Sequence, residues 1–161
     1  MRKALVLFVI KLIAASACLY ALWEWKAQLW YALLFRQAAL GVYGLIGVEL
    51  VTLRDAVGVT AERFFNILPF LSLMIAAWGI SWRRRLIGIL SGFAVLVLWH
   101  LTFTLIVQSI LNAHHFDPTA YKQLSPLFLL SDALPFVLWV IICYKPLTAL
   151  LPSKSKAKPE G

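Results

Sequence analysis

Four side chains in this sequence could do chemistry inside an apolar environment: Arg63, Asn66, His100 and Asp132. Each lies in or beside a hydrophobic run, where ionisable groups are costly and mark either a tight internal pairing or a functional site. Arg63 and Asn66 are three residues apart, so on a helix both face one way. A short polar stretch downstream adds His114, His115 and Asp117 as loop candidates.

Several chemistries fit these residue types. An Arg63–Asp132 ion pair with hydrogen bonds from Asn66 and His100 would simply hold helices together. Imidazole and carboxylate also suit zinc, but adjacent histidines diverge on a helix and no HExxH-type spacing occurs, so no metal ligands are assigned. Nucleophilic catalysis needs a Ser or Cys beside a base. Cys18 and Cys143 both fall in apolar runs without a positioned base, and each is expected to pack as a small hydrophobe. No catalytic residue is assigned on these grounds. A site that grips the end group of a peptide or lipid is the remaining alternative.

The elements that position these residues follow from composition. Of the 161 residues, 62% are apolar and 14% charged, and the mean hydropathy is +0.85. Soluble domains are about 45–50% apolar and about 25% charged. The excess must face lipid, and with roughly 20 residues per crossing the length suits about four helices. The expectation is a single all-α membrane domain over 1–151, with crossings at about 4–23, 65–82, 86–107 and 127–144.

Orientation is read from charge. Residues 62–108 contain two membrane-length runs joined by Arg83-Arg84-Arg85, a helical hairpin whose basic tip belongs in the cytoplasm. Residues 2–3, 83–85 and the tail from Lys145 carry nine basic residues and one acid, Glu160. The segments expected outside carry five basic residues and six acids. Both termini are therefore placed in the cytoplasm, and residues 152–161 read as a polar, disordered cytoplasmic tail. The net charge of +8 is explained by this asymmetry better than by a nucleic-acid partner. Lipid and other membrane proteins are the expected partners, in a bacterial inner membrane, with no soluble cofactor implied.

Residues 24–62 read as an interfacial or re-entrant segment on the outer face. If residues 29–48 crossed, the hairpin would invert against the charge rule. Trp23, Trp25, Trp30 and Tyr31 would form an aromatic belt there, and Gly41, Gly44 and Gly47 a smooth face for helix packing. The β-branched runs 48–52 and 57–60 around Arg54-Asp55 suggest a small β-hairpin. Residues 108–126 read as an outer loop. Pro135 interrupts the fourth crossing.

The stretch Gln37-Ala38-Ala39-Leu40-Gly41-Val42-Tyr43-Gly44-Leu45-Ile46-Gly47-Val48-Glu49-Leu50-Val51, a short polar turn, and then Val59 to Ala77 resembles the exosortase/archaeosortase superfamily. Those multi-pass membrane proteins process C-terminal sorting signals of exported proteins. The order of parts is similar over roughly residues 30–145, including the arginine-rich cytoplasmic turn. The family's catalytic motifs are missing. Arg63-Phe64-Phe65-Asn66-Ile67 stands where a Cys-Ser/Thr-Gly motif belongs, and Trp99-His100-Leu101-Thr102-Phe103 where the Asn and Arg belong. The resemblance implies a shortened, non-catalytic relative, an accessory protein beside an active sorting enzyme. A structural subunit of a larger membrane complex, and a peptidase or transpeptidase with displaced catalytic residues at His100 and Asp132, are the alternatives.

Overall fold

The structure is a computed structural model that describes residues 2–48, 53–113 and 122–150. Its α-helices are α1 (Arg2–Leu22), α2 (Gln28–Leu45), α3 (Arg54–Ala61), α4 (Ile67–Ala76), α5 (Trp82–Ala113) and α6 (Ser125–Leu150). A π-helical turn, Trp23–Ala27, joins α1 to α2, and a 3-10 turn, Phe64–Asn66, leads into α4. Four stretches are long and apolar enough to cross a membrane: Leu5–Leu45, Arg54–Ala76, Trp82–Ala113 and Ser125–Tyr144. The all-α architecture with four such stretches is thus present, with different bounds.

The largest correction concerns residues 24–62. The chain does not leave the first helix at Trp23. Residues 4–40 contain neither Pro nor Gly, so nothing stops the helix, and at Trp23 it widens by one residue instead of breaking. The Gln28 amide bonds to the Trp23 carbonyl, the i→i−5 pattern of a π-bulge. At 1.5 Å per residue, the 41 residues of Leu5–Leu45 span roughly 60 Å, about twice a hydrocarbon core. Since α2 continues α1 in the same direction, it adds no reversal of the chain, and the conflict with the charge rule does not arise.

The buried positions of this long helix are spaced by four: Ala15, Trp23, Tyr31, Phe35, Ala39 and Tyr43, with Leu19 and Ala27 half-buried between them. Four residues exceed the 3.6 of one turn, so the stripe drifts around the helix rather than staying on one side. Trp23 and Tyr31 are therefore core residues and not part of an interfacial belt, whereas Trp25 and Trp30 are exposed.

The helix ends in a Schellman motif. The Val48 amide bonds to the Tyr43 carbonyl at 2.9 Å and the Gly47 amide to the Gly44 carbonyl at 3.3 Å. Gly47 sits at φ 71°, which glycine adopts without Cβ strain. The Gly41, Gly44 and Gly47 face is not a packing surface: a Cβ on any of them would meet nothing within 4 Å. Close packing occurs instead at Gly88 and Gly92, where a Cβ would lie 2.8 Å from Ile142 and Met74 and 2.1 Å from Phe70. These two form a GxxxG spacing on α5, which lets helices approach closely.

The expected β-hairpin is also corrected. Val57 to Thr60 lie in α3, whose buried Ala56 and Thr60 pack against α5, and residues 49–52 fall outside the described residues. A lone two-stranded hairpin has little to stabilise it, while one face of a short helix can be buried on α5. The helix expected as the second crossing stops at Ala76 rather than Trp82, because Ala77 is extended (ψ 135°) and Gly79 turns at φ 71°. Pro69 is the third residue of α4, where no intrahelical amide is required. The helices expected as the third and fourth crossings are longer than expected, and Gln108–Ala113 belong to α5 instead of an outer loop. The polar tail at 152–161 lies outside the described residues.

Neighbours fix the relative directions. Phe8 stacks near Trp139 with ring centroids 6.2 Å apart, Gly88 meets Ile142, and Phe103 meets Phe128 at 6.1 Å. So α1 and α5 run one way and α4 and α6 the other. Arg2, Ala76, Trp82 and the last turns of α6 share one end of the bundle, the end that carries the three arginines.

Candidate functional site

At the opposite end, the 3-10 turn, α5 and α6 meet in a polar cluster. The 3-10 turn places Arg63 and Asn66 beside the start of α6. Arg63 Nη1 donates to both oxygens of Asp132, at 3.1 and 3.2 Å. Asn66 Nδ2 donates to Asp132 Oδ1 at 3.2 Å and to Ser131 Oγ at 3.1 Å. From α5, Trp99 Nε1 donates to the same Ser131 oxygen at 3.1 Å. The Arg63 guanidinium lies 4.3 Å from the centroid of the Phe128 ring, one turn before Asp132 on α6. Ser131 is fully buried, while the Asp132 side chain keeps half of its surface and Arg63 about a fifth.

Of the four residues singled out in the sequence, three thus converge. The His100 side chain meets them only at the Arg63 backbone. It is wholly buried, and its Nδ1 lies 2.6 Å from Tyr31 Oη. The rings of Tyr31 and Phe64 pack around the imidazole, at 5.8 and 5.3 Å between centroids. His114, His115 and Asp117 lie outside the described residues. Among the described residues, no three His, Cys, Asp or Glu side chains converge as metal ligands would.

A second polar set was not anticipated. Tyr43 Oη donates to the Leu101 carbonyl at 2.9 Å. Thr60 and Thr104 hydroxyls stand 2.9 Å apart; one donates to the other, and the accepting hydroxyl donates backward to its own helix, at the Ala56 or the His100 carbonyl. These bonds tie α2 and α3 to α5. Tyr31 and Tyr43 are 12 residues apart on the four-residue stripe, a signal that was present but masked by apolar residues on every side.

What the main cluster can do chemically is limited by its hydrogen bonding. Ser131 is its one hydroxyl among the described residues, and that oxygen accepts from both Asn66 and Trp99, occupying its lone pairs. Cys143 is buried and Cys18 exposed. Cys143 lies eleven residues beyond Asp132 on α6, roughly 16 Å along the axis. Comparison of the chain with family models, curated proteins and solved structures finds no match.

Proposed function

We propose that the chain is a non-catalytic, multi-pass protein of a bacterial inner membrane that serves another membrane protein as an accessory subunit. The observation that carries this reading is the Ser131 hydroxyl, buried and accepting two hydrogen bonds at 3.1 Å. A nucleophile needs a free lone pair and a base to take its proton; here the lone pairs are held and the nearest carboxylate is spent on Arg63. The cluster works as a clamp that joins the 3-10 turn, α5 and α6.

Two features favour a protein partner over an isolated existence. Asp132 keeps half of its side chain exposed although it is already paired, so it can accept a further donor from outside. Trp25, Trp78 and Trp82 project from the bundle, and tryptophan is a frequent anchor in protein interfaces. The partner class implied by the sequence resemblance is an exosortase-type sorting enzyme.

Affinity purification from the source membrane in mild detergent, with mass spectrometry of the eluate, tests the proposal. A sorting enzyme or its substrate in the eluate is the expected result. A large energy-converting or transport complex would make the chain a structural subunit instead, and a clean monomer would overturn the accessory reading.

A further inference from the structure

We propose that the arginine-bearing end of the bundle holds a binding site for one anionic phospholipid. A groove of about 500 Å³ runs between α5 and α6 beside the α4–α5 connection, within the range of about 300–1,000 Å³ typical of ligand sites. Arg84 and Tyr144 stand at its mouth, and Ile87, Gly88, Ile141 and Ile142 line its length. Arg84, Ile87, Gly88 and Ser91 follow one another at i, i+3, i+4 and i+7, so they form one face of α5. Gly88 keeps that face low, since a Cβ there would stand 2.8 Å from Ile142.

The charge at the mouth is uncompensated. Arg85 is engaged, donating to the Ala77 carbonyl at 2.6 Å. Arg84 is exposed, and no hydrogen bond or ion pair engages it among the described residues. Residues 77–91 and 139–144 contain no Asp or Glu. Arg84 also stands in the first turn of the 32-residue α5, where free amides and the positive end of the helix dipole favour an anion.

A cationic mouth opening onto an apolar track along two membrane-length helices matches a phospholipid in both parts. The phosphate would sit on Arg84, whose planar guanidinium suits phosphate oxygens, with one acyl chain along Ile87, Ile141 and Ile142. A soluble anion would leave the apolar walls uncovered, and a zwitterionic lipid would bring its own ammonium cation beside Arg84, in a mouth whose flanking residues 77–91 and 139–144 hold no carboxylate to receive it. The charge complementarity selects an anionic lipid such as phosphatidylglycerol.

The test is native mass spectrometry of the full-length protein in detergent, titrated with phosphatidylglycerol or phosphatidylcholine. The first phosphatidylglycerol should bind in preference to phosphatidylcholine. R84Q should weaken it about fivefold, the scale of one basic residue at a membrane surface. I141W, which fills the track from an exposed position, should weaken it as well, while R83Q, off the groove, should leave it near wild type. Circular dichroism of each variant checks that it is folded. Equal losses in R83Q and R84Q with I141W unaffected would reduce the effect to diffuse attraction and overturn the site. So would equal binding of phosphatidylcholine, or competition by glycerol phosphate as strong as by the whole lipid.

Discussion

At the scale of single residues, two pairs separate a buried contact from a half-exposed one. The Tyr31 hydroxyl and His100 imidazole meet at 2.6 Å in a site that water does not reach. Removing one partner strands the other, so Y31F should cost about 1–2 kcal/mol, between the cost of an unsatisfied buried group and the smaller values found in membranes. The double variant Y31F/H100L removes both polar groups and should recover much of that loss. Reversible unfolding in mixed micelles measures both; a double variant as weak as the sum of its parts would contradict the pairing. For Arg63 and Asp132 the expectation is smaller, because Asp132 remains half exposed to its surroundings. A double-mutant cycle with R63A and D132A should give a coupling of about 0.5–1 kcal/mol. The four candidate residues were legible individually, as polar types interrupting apolar runs. The grouping of Arg63 and Asn66 with Asp132 matches the ion pair expected from the sequence, but the place of His100 was not legible, because it turns towards α2, and no spacing in the chain says which neighbour a buried imidazole will meet.

Among elements, the glycines of α2 and α5 give the cleanest contrast. Hydropathy and residue type are alike in Gly41-x-x-Gly44 and Gly88-x-x-x-Gly92, yet only the second pair faces another helix. A methyl group on Gly92 would stand 2.1 Å from the Phe70 ring. G92A should therefore destabilise the bundle by about 1–3 kcal/mol through overpacking, and pairing it with F70L should restore part of the loss. G41A meets nothing within 4 Å and should be neutral or stabilising by up to about 1 kcal/mol through helix propensity. Thermal unfolding in detergent reads both, and a destabilised G41A would show that α2 packs against something further. Arginine in the first turn of α5 opposes the helix dipole, but Arg85 offsets this by capping the last turn of α4 through the Ala77 carbonyl.

For the whole molecule, the alternation of helix direction puts the N-terminus of α1, the arginine turn and the end of α6 at one end. If the basic end is retained in the cytoplasm, as the charge rule expects, a single cysteine replacing Ser81 in a C18S/C143S background should react with impermeant reagents from the cytoplasmic side only. A cysteine replacing Glu62 should react from the outside only. Labelling of both from one side would refute the four-crossing path.

The amino-acid sequence by itself determined the all-α class and the number of stretches long and apolar enough to cross a membrane. Apolar excess and run length follow from transfer free energy summed over each segment, which is a local property and needs no partner. Arg63, Asn66 and Asp132 were marked by the same rule, since each interrupts a run that lipid would otherwise tolerate. Tertiary structure alone decided which glycines touch and that residues 57–60 are helical. In a chain this apolar, every face of a helix looks fit for burial, so periodicity carries no contrast. The choice among faces is made by the shape of the neighbour: Phe70 fits over Gly92, and Tyr31 and Tyr43 reach α5 along a stripe that drifts around its helix.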